Sequence, residues 1–270
     1  MGQFGLKSEH EIKPVTELQH SGHDYAHLQE CWEALATKTG LKLETIATTP
    51  GGEPIFALET GDGCDNTIYL SAGVHGDECA PVWGLLHWAE QNTQFLNQIP
   101  ILLFPCLNPE GLKENTRDDQ DGHDLNRSFN DRSIPVVKAW HERIHNRRFS
   151  RCLQLHEDYD SLGNYLYELS DTPGLGRKLL EAGSLHIPTD LRPEIEDYPF
   201  DRGILHHSRA DVERLVAETE FEGAEPCQLV LHHTDLCITF ESPSELDLQR
   251  RIATHCQAIE AFVEDWRNHG

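Results

Sequence analysis

The sequence predicts a three-layer α/β/α domain built on a central twisted, mixed and mainly parallel sheet. Short apolar, β-prone runs alternate along the chain with segments whose apolar residues recur at helical spacing. Polar, turn-rich segments directly follow several of these runs, and ligands of such folds bind beyond the carboxyl ends of the strands. The 270 residues, 38% of them hydrophobic, suffice for one sizeable core, so we expect a single domain over 1–270.

The first half of the chain predicts a helix, a hairpin and a strand–helix–strand unit. Helical spacing over 24–39 ends at Gly40, a residue typical of helix C-caps. The β-prone runs at 41–47 and 54–59 flank a segment rich in turn formers, which favours a hairpin. A strand, a helix and an apolar run follow at 67–72, 78–91 and 99–107. Strands that flank a helix favour a right-handed crossover and therefore parallel pairing.

The second half begins with a predicted turn at 108–111 and a polar loop over 112–133. Helices are predicted at about 134–148, 174–185 and 209–219, with a closing helix that carries an apolar stripe from Ile252 to Trp266. Strands are predicted at 151–156, 230–231 and 236–240. The segment 188–235, which includes a connection rich in Pro, Asp and Glu, is expected to shape a specificity pocket.

The chain is strongly acidic, since 22 Lys and Arg stand against 46 Asp and Glu and the formal charge is −24. This charge opposes binding to nucleic acid or to an anionic membrane, so neither partner is expected. The eight cysteines include no Cys-x-x-Cys pair and are expected to be buried, reduced thiols. Residues 1–10 lack an apolar signal region and no segment resembles a membrane span, so we expect a cytoplasmic protein.

One strand–turn–helix segment carries a candidate metal site. The strand that ends near Ala72 is followed by small residues, then by His75 and Glu78 three residues apart. An imidazole and a carboxylate at this spacing can converge on one cation, and zinc accepts both donors. His156, which also ends a short apolar run, is the best placed third ligand and would leave one position open for water. Such a pair is weak evidence alone, because it often arises by chance.

Further motifs follow in an order that carries a family resemblance. Arg117 and then Asp124-Leu125-Asn126-Arg127 lie in the polar loop, and Thr239-Phe240-Glu241 ends the last predicted strand. Together with the His-x-x-Glu pair and the Asn-Pro-Glu-Gly segment, this order resembles the zinc carboxypeptidases of the carboxypeptidase A type. The resemblance covers roughly 66–130 and 150–265.

The resemblance implies a role for each motif residue. In that family's pattern, His75, Glu78 and His156 would hold one zinc ion, and Glu241 would be general base and then general acid. Arg117 would polarise the scissile carbonyl. Asn126 and Arg127 would hold a substrate carboxylate. The chemistry agrees, because zinc lowers the pKa of bound water and a nearby carboxylate can take the proton. A guanidinium suits both a developing oxyanion and a substrate carboxylate.

Simpler interpretations stand beside these roles. Glu78 could only begin its helix, and His156 could be an ordinary residue at a strand end. Arg127 could belong to a surface ion pair, and Glu241 could be a solvated carboxylate. The histidine pairs 206–207 and 232–233 are interpreted as loop residues, and His123 as a bystander. Tyr165 and Tyr167 could line the pocket or pack against other aromatic residues. Asp158 could be a hydrogen-bond partner of a metal ligand.

Two features depart from the digestive carboxypeptidases. No tyrosine follows Tyr198, although those enzymes carry one in the loop before the catalytic glutamate, and only 77 residues separate Glu78 from His156. The chain looks at least as similar to the compact, cytoplasmic murein peptide amidases, which cleave a γ-D-glutamyl bond to diaminopimelate. Aspartoacylase and succinylglutamate desuccinylase are more distant variants.

The predicted function is that of a zinc metallopeptidase which hydrolyses the amide next to a C-terminal carboxylate by zinc-activated water. The substrate would be a peptide or a peptide-like molecule with a free carboxylate. Murein peptide amidase and N-acyl amino acid amidohydrolase are the alternatives within this class. Outside the class, the alternative is a non-catalytic zinc-binding protein.

Overall fold

The computed structural model describes residues 22–61, 66–195 and 198–269. Residues 1–10 and Cys64 lie outside these ranges, so the interpretations of that segment and of that thiol stay predictions. The seven described cysteines are free thiols, and all but Cys31 are buried. No helix in the described ranges combines the length and the apolarity needed to cross a bilayer.

Eight α-helices and ten strands lie within the described residues. The helices are α1 Tyr25–Thr39, α2 Cys79–Gln91, α3 Pro109–Glu114, α4 Pro135–Ile144, α5 Leu175–Gly183, α6 Arg209–Glu218, α7 Glu225–His232 and α8 Leu248–His269. The strands are β1 Lys42–Thr48, β2 Pro54–Glu59, β3 Ile68–Ala72, β4 Ile101–Phe104, β5 Arg151–Asp158, β6 Tyr165–Ser170, β7 Glu194–Ile195, β8 Tyr198–Pro199, β9 Ile204–His207 and β10 Leu236–Pro243. Single 3-10 turns lie at Leu96–Gln98, Leu125–Arg127 and Glu220–Gly223.

Eight of the described strands form one sheet in the order β1-β2-β4-β3-β5-β10-β6-β9. The pairs β3·β4, β3·β5, β5·β10 and β6·β9 are parallel, whereas β1·β2, β2·β4 and β6·β10 are antiparallel. One apolar core joins a face of the sheet to α1, α2, α5 and α8, and a second joins the other face to α4, α6 and α7. The predicted three-layer fold with a mixed, mainly parallel sheet is therefore confirmed.

Strand β3 shows why the centre of the sheet is a continuous apolar run. All five of its residues are buried. Ile68 and Leu70 pack in the core with α2 and α8, whereas Tyr69 packs in the core with α4 and α7. Because successive side chains of a strand point to opposite faces, a strand covered on both faces needs apolar residues at every position.

Most predicted elements form where the sequence places them, and two predictions are corrected. The segment 108–111 begins α3 and is not an isolated turn, because the Asn108 side chain accepts a hydrogen bond from the Gly111 N–H at 2.9 Å and so caps the helix. Residues 230–231 belong to α7, since a short apolar run does not distinguish a strand from a buried helical turn. Strands β6, β7, β8 and β9 were not predicted.

The strand registers place three side chains in one row at an edge of the sheet. Glu241 of β10 pairs with His156 of parallel β5 and with Tyr165 of antiparallel β6. Paired residues of neighbouring strands project from the same face, so these three side chains lie side by side. Two residues earlier along β10, Thr239 pairs with Tyr167 on the same face. Thr239 also pairs with Gln154 of β5, so a second row of side chains lies next to the first on this face.

The buried histidine of α8 makes stability depend on pH. Burial lowers the pKa of His255 to about 3, and its Nε2 lies 2.9 Å from the Ser242 hydroxyl. An unfolded histidine takes up a proton near pH 6.5, so the unfolded state binds more protons between about pH 6.5 and pH 3. The contribution of His255 to stability is therefore complete above about pH 6.5 and decreases as the pH falls towards 3.

We expect His255→Gln to reduce the slope of unfolding free energy against pH by up to about 1.4 kcal/mol per pH unit between pH 4 and 6. Urea unfolding at several pH values measures this slope. His145→Gln, at an exposed position, is the control and should leave the slope unchanged. Equal slopes for wild type and His255→Gln would contradict the assignment.

Candidate active site

A tight turn after β3 presents His75 and Glu78 at the edge of the sheet. Gly73 begins this turn with a φ of 63°, a value that favours glycine. A Cβ on Gly76 would lie 1.9 Å from the carbonyl carbon of Gly111, so the turn can press against α3 only with glycine there. Glu78 occupies the N-cap position of α2, but its side chain makes no capping hydrogen bond. The carboxylate is therefore directed elsewhere.

The side chains of His75, Glu78 and His156 converge in the interior. Nδ1 of His75 lies 2.5 Å from Oε1 of Glu78, and Nδ1 of His156 lies 2.8 Å from Oε2 of the same carboxylate. One possible ligand atom from each residue lies within 4.8 Å of the others. The residues are only 3%, 5% and 2% exposed, so bulk water does not hydrate these polar groups.

The bonding of this group fits a metal ion. Oε2 of Glu78 and Nε2 of His156 are buried without a hydrogen-bond partner in the described structure, so the 2.8 Å approach of Oε2 to His156 lacks hydrogen-bond geometry. Buried polar atoms normally have partners. Two imidazoles and a carboxylate form a donor set that zinc accepts. The three residues could therefore hold one metal ion.

The protein alone already concentrates charge at this group. Burial would raise the pKa of Glu78, but the adjacent His75 and His156 hold it well below its usual range. Burial would likewise lower the pKa of His75, but Glu78 and Asp124 raise it to about 9. The local field therefore keeps the Glu78 carboxylate anionic, as a metal ligand must be, and keeps the His75 imidazole protonated unless a metal ion takes the place of that proton.

Asp124 orients this group together with Arg117. Nε2 of His75 donates to Oδ1 of Asp124 at 3.3 Å, and Nε of Arg117 donates to Oδ2 of the same carboxylate at 3.0 Å. Nη1 of Arg117 lies 4.0 Å from Oε1 of Glu78. Asp158 does not take this part, because it accepts a hydrogen bond from the Tyr165 hydroxyl at 3.1 Å. The available signal for Asp124 was its position in the Asp-Leu-Asn-Arg motif.

Glu241 and Tyr165 border the group from the neighbouring strands. Glu241 is 8% exposed and lies in register beside His156, and both line the same cleft. Tyr165 packs edge-on against Tyr167 with ring centroids 5.7 Å apart, and both also line the cleft. The two interpretations of these tyrosines, pocket lining and aromatic packing, therefore both hold.

Asn126 and Arg127 lie in a 3-10 turn against the start of α7. Oδ1 of Asn126 accepts a hydrogen bond from the Glu225 N–H at 3.0 Å. Nη1 of Arg127 donates to the carbonyl of Asn126 at 2.9 Å, and its guanidinium lies 4.7 Å from the centre of the Phe221 ring. Arg127 makes no ion pair with a carboxylate in the part of the chain that the structure describes. It is therefore a fixed cation without a counter-ion there.

These side chains line one cleft of about 600 Å³ whose two ends differ in character. Beside Arg127 the wall is apolar and consists of Leu169, Leu205, Val212, Leu215, Phe221 and Cys227. The other end is polar, with His23, Asp77, Glu157, Glu245 and Arg251 among its lining residues. Arg251 directly precedes the predicted apolar stripe of the closing helix, and no sequence motif marks it. Tyr198 also reaches the cleft, from β8.

The histidine pairs and His123 lie outside the candidate metal site. The pairs 206–207 and 232–233 do not lie in loops, because the first belongs to β9 and the second to the end of α7. His207 lines the cleft, and Nε2 of His206 bonds the carbonyl of Ser170 at 2.7 Å. His123 lies in a second, partly exposed group with Asp119 and Asp121, whose contacts are the hydrogen bonds of a local turn.

Comparison with known proteins gives one family match and several similar structures. Residues 64–164 match the family described as Succinylglutamate desuccinylase/Aspartoacylase catalytic domain. A search of curated protein sequences found no match.

Three solved structures illustrate the similarity of fold. A provisionally named metallopeptidase from Shewanella amazonensis superposes with a TM-score of 0.79 at 20% identity, over 94% of this chain and 97% of that one. A metallo-carboxypeptidase from Burkholderia cenocepacia gives a TM-score of 0.66 at 15% identity, over 92% and 70% of the two chains. Bovine thrombin-activatable fibrinolysis inhibitor gives a TM-score of 0.64 at 14% identity, over 93% and 98%.

At these identities the structural similarity establishes the fold, and the family match adds the segment from β3 to β5 that carries His75, Glu78 and His156. Both findings support the resemblance to the zinc carboxypeptidases that the motif order indicated. The chain thus has the zinc carboxypeptidase fold, and its residues 64–164 match the catalytic domain of the succinylglutamate desuccinylase and aspartoacylase family.

Proposed function

We propose that the protein is a zinc-dependent hydrolase that cleaves the amide bond next to a free carboxylate in a peptide or peptide-like substrate. The observation that carries the proposal is the convergence of His75, Glu78 and His156 at one strand edge, with Glu241 in register beside His156. The family match and the similar folds support hydrolysis as the reaction class.

The chain supplies the groups that amide hydrolysis needs. His75, Glu78 and His156 would hold a zinc ion, and such an ion would lower the pKa of a water molecule to about 7 and polarise a carbonyl. Glu241 is placed to take the proton of the attacking water and to return it to the departing amine. Its mostly buried position at the strand edge limits competition from solvent.

Arg117 is suited to the negative charge that develops on the carbonyl oxygen. Its Nε is held by Asp124, which leaves the amino groups of the guanidinium directed towards His75 and Glu78. A preoriented cation of this kind stabilises a developing oxyanion without having to reorganise. Asp124 acts as a positioning residue, because it holds both His75 and Arg117.

Arg127 and Asn126 are suited to hold the substrate carboxylate. The guanidinium has no carboxylate partner in the described structure and matches a carboxylate in geometry. Because Phe221 and Cys227 lie on the same side of the cleft as Arg127, the side chain of the residue that bears this carboxylate would enter the apolar end. We therefore propose an apolar amino acid as the leaving group.

A second candidate within the class is an N-acyl amino acid amidohydrolase, which the family match over 64–164 favours. Murein peptide amidase is a further variant of the same chemistry, but its diaminopimelate leaving group fits the apolar end less well. The non-catalytic alternative is less favoured, because Glu241, Arg117 and Arg127 all line the cleft. We also propose a cytoplasmic location, which the free, mostly buried thiols support. The strongly acidic charge supports the proposal that neither nucleic acid nor a membrane is a partner.

The purified protein is expected to contain about one zinc ion per chain and to lose activity with a chelator, because the site offers one set of three protein ligands. Zinc should restore the activity. His156→Ala should reduce both metal content and turnover, whereas the exposed-site control His145→Ala should change neither. Metal analysis and an amidase assay measure these effects, and full activity of the metal-free protein would refute the proposal.

Glu241→Gln is expected to lower kcat by about 10²- to 10⁴-fold, the usual contribution of a general acid–base group. Zinc content should stay near that of the wild type, because Glu241 is not among the three ligands. Glu264→Gln, on the exposed side of α8, is the matched control and should keep full activity. A Glu241→Gln enzyme with wild-type turnover would remove Glu241 from the reaction.

Arg127→Ala is expected to raise KM by about 10- to 100-fold for N-acyl dipeptides that end in a free carboxylate, because it removes a charged hydrogen-bond donor. The same dipeptides with a C-terminal amide should be equally poor substrates for the wild type and for the variant. A panel with Phe, Leu, Lys, Glu or diaminopimelate as the last residue tests the apolar preference. Preference for a charged residue would contradict the role of the apolar end.

A further inference from the structure

Glu225 is a carboxylate buried in the interior between α7 and β3. It is the first residue of α7 and is 0% exposed. Its Oε1 accepts a hydrogen bond from the Tyr69 hydroxyl, and the Ser71 side chain, two residues further along β3, also lies beside the carboxylate. The Tyr69 hydroxyl in turn accepts a hydrogen bond from Nε1 of Trp140 at 2.7 Å. The carboxylate thus ties the start of α7 to the centre of the sheet.

The burial of this carboxylate has a cost that an apolar residue would avoid. Burial raises the pKa of Glu225, because the interior disfavours charge, and the hydroxyls of Tyr69 and Ser71 oppose this rise. A buried polar network adds little net stability, but it fixes the relative position of the elements that it joins. The consequence of the Glu225 network therefore lies in what the start of α7 holds in place.

The start of α7 is pressed against the turn that carries Arg127. The N–H of Glu225 donates to Oδ1 of Asn126 at 3.0 Å, and the N–H of Phe129 donates to the carbonyl of Gly223 at 2.9 Å. A Cβ on Gly223 would lie 1.8 Å from the carbonyl oxygen of Arg127, so the two backbones can approach this closely only with glycine there. These contacts lie on both sides of Arg127 along the chain.

The guanidinium of Arg127 also rests on this part of the chain. Its Nη1 donates to the carbonyl of Asn126 at 2.9 Å, and its carbon lies 4.7 Å from the centre of the Phe221 ring. Phe221 belongs to the 3-10 turn just before α7, and Nε2 of Gln228 ties that turn to the helix by donating to the carbonyl of Glu222 at 2.8 Å. Both supports of the guanidinium are therefore fixed by the start of α7.

We propose that Glu225 is a positioning residue that holds Asn126 and Arg127 in place for the substrate carboxylate, an inference that rests on the proposed function. Glu225 is not among the residues that line the cleft, so it acts through the backbone at the start of α7. Without its bond to Tyr69, the turn would populate arrangements that cannot hold a carboxylate. The apparent affinity for substrate would then decrease with the competent fraction.

The kinetic test uses benzoyl-glycyl-phenylalanine, which ends in a free carboxylate. Glu225→Ala should raise KM by about 5- to 50-fold and change kcat by less than about threefold, because the metal ligands and Glu241 lie on other elements. Glu225→Gln can still accept the hydrogen bond from Tyr69 and should keep KM within about threefold of the wild-type value. An equal loss in both variants would contradict the inference. Tyr69→Phe removes only the hydroxyl and should also raise KM, so it carries the test if Glu225→Ala does not fold.

Glu168→Ala is the matched control. Glu168 is 1% exposed, and its Oε1 accepts hydrogen bonds from the N–H groups of Gly174 and Gly176 at 2.9 and 3.0 Å. This variant also removes a buried carboxylate from a helix start, but α5 packs on the opposite face of the sheet from α7. KM should therefore stay at the wild-type value. A rise equal to that of Glu225→Ala would indicate a general loss of stability and overturn the inference.

Hydrogen exchange of the peptide 124–130, followed by mass spectrometry, gives a second readout that needs no turnover. Exchange there should be faster in Glu225→Ala than in the wild type and unchanged in Glu168→Ala. If no amide substrate is hydrolysed but this difference is found, the positioning role stands and the proposed function fails. Unchanged exchange over 124–130, or an unchanged KM in an active Glu225→Ala enzyme, would overturn the inference and leave the proposed function intact.

Discussion

The placement of one buried carboxylate organises the site. Glu78 lies between two imidazoles at 2.5 and 2.8 Å in the interior, where an unpartnered polar atom is costly. Its Oε2 has no hydrogen-bond partner in the described structure, so the two histidines alone do not satisfy it. A cation shared by the three residues would meet this demand. The close contact of Gly76 with α3 and the bond from His75 to Asp124 both serve to hold the arrangement.

The sheet supplies the rest of the site by bringing strand ends together from distant parts of the sequence. His156 and Glu241 are neighbours only because β5 and β10 pair in parallel with these two residues in register. The antiparallel pairing of β6 then adds Tyr165 to the same row. A slip of one residue would turn the side chain of Glu241 to the opposite face, so pairing register is as important as residue identity.

The helical layers give the cleft its polarity. The layer with α6 and α7 places apolar side chains beside Arg127, and α8 places Arg251 at the polar end of the cleft. The same two layers enclose the apolar cores that stabilise the sheet. The apolar side chains of the cleft are therefore carried by packed elements, and this limits their motion.

The sequence by itself determined the local features of this protein. Periodicity predicted α1, α2 and α8, turn chemistry predicted the hairpin and the glycine turn that carries His75 and Glu78, and the order of short motifs identified the candidate residues. The tertiary structure decided that His156 and Glu241 lie side by side, that Asp124 and not Asp158 contacts His75, that 230–231 is helical, and that Arg251 faces the cleft. Helical period and turn preference depend on residues close in the chain, whereas register, face and interlayer contacts depend on residues far apart, for which a single sequence carries no local signal.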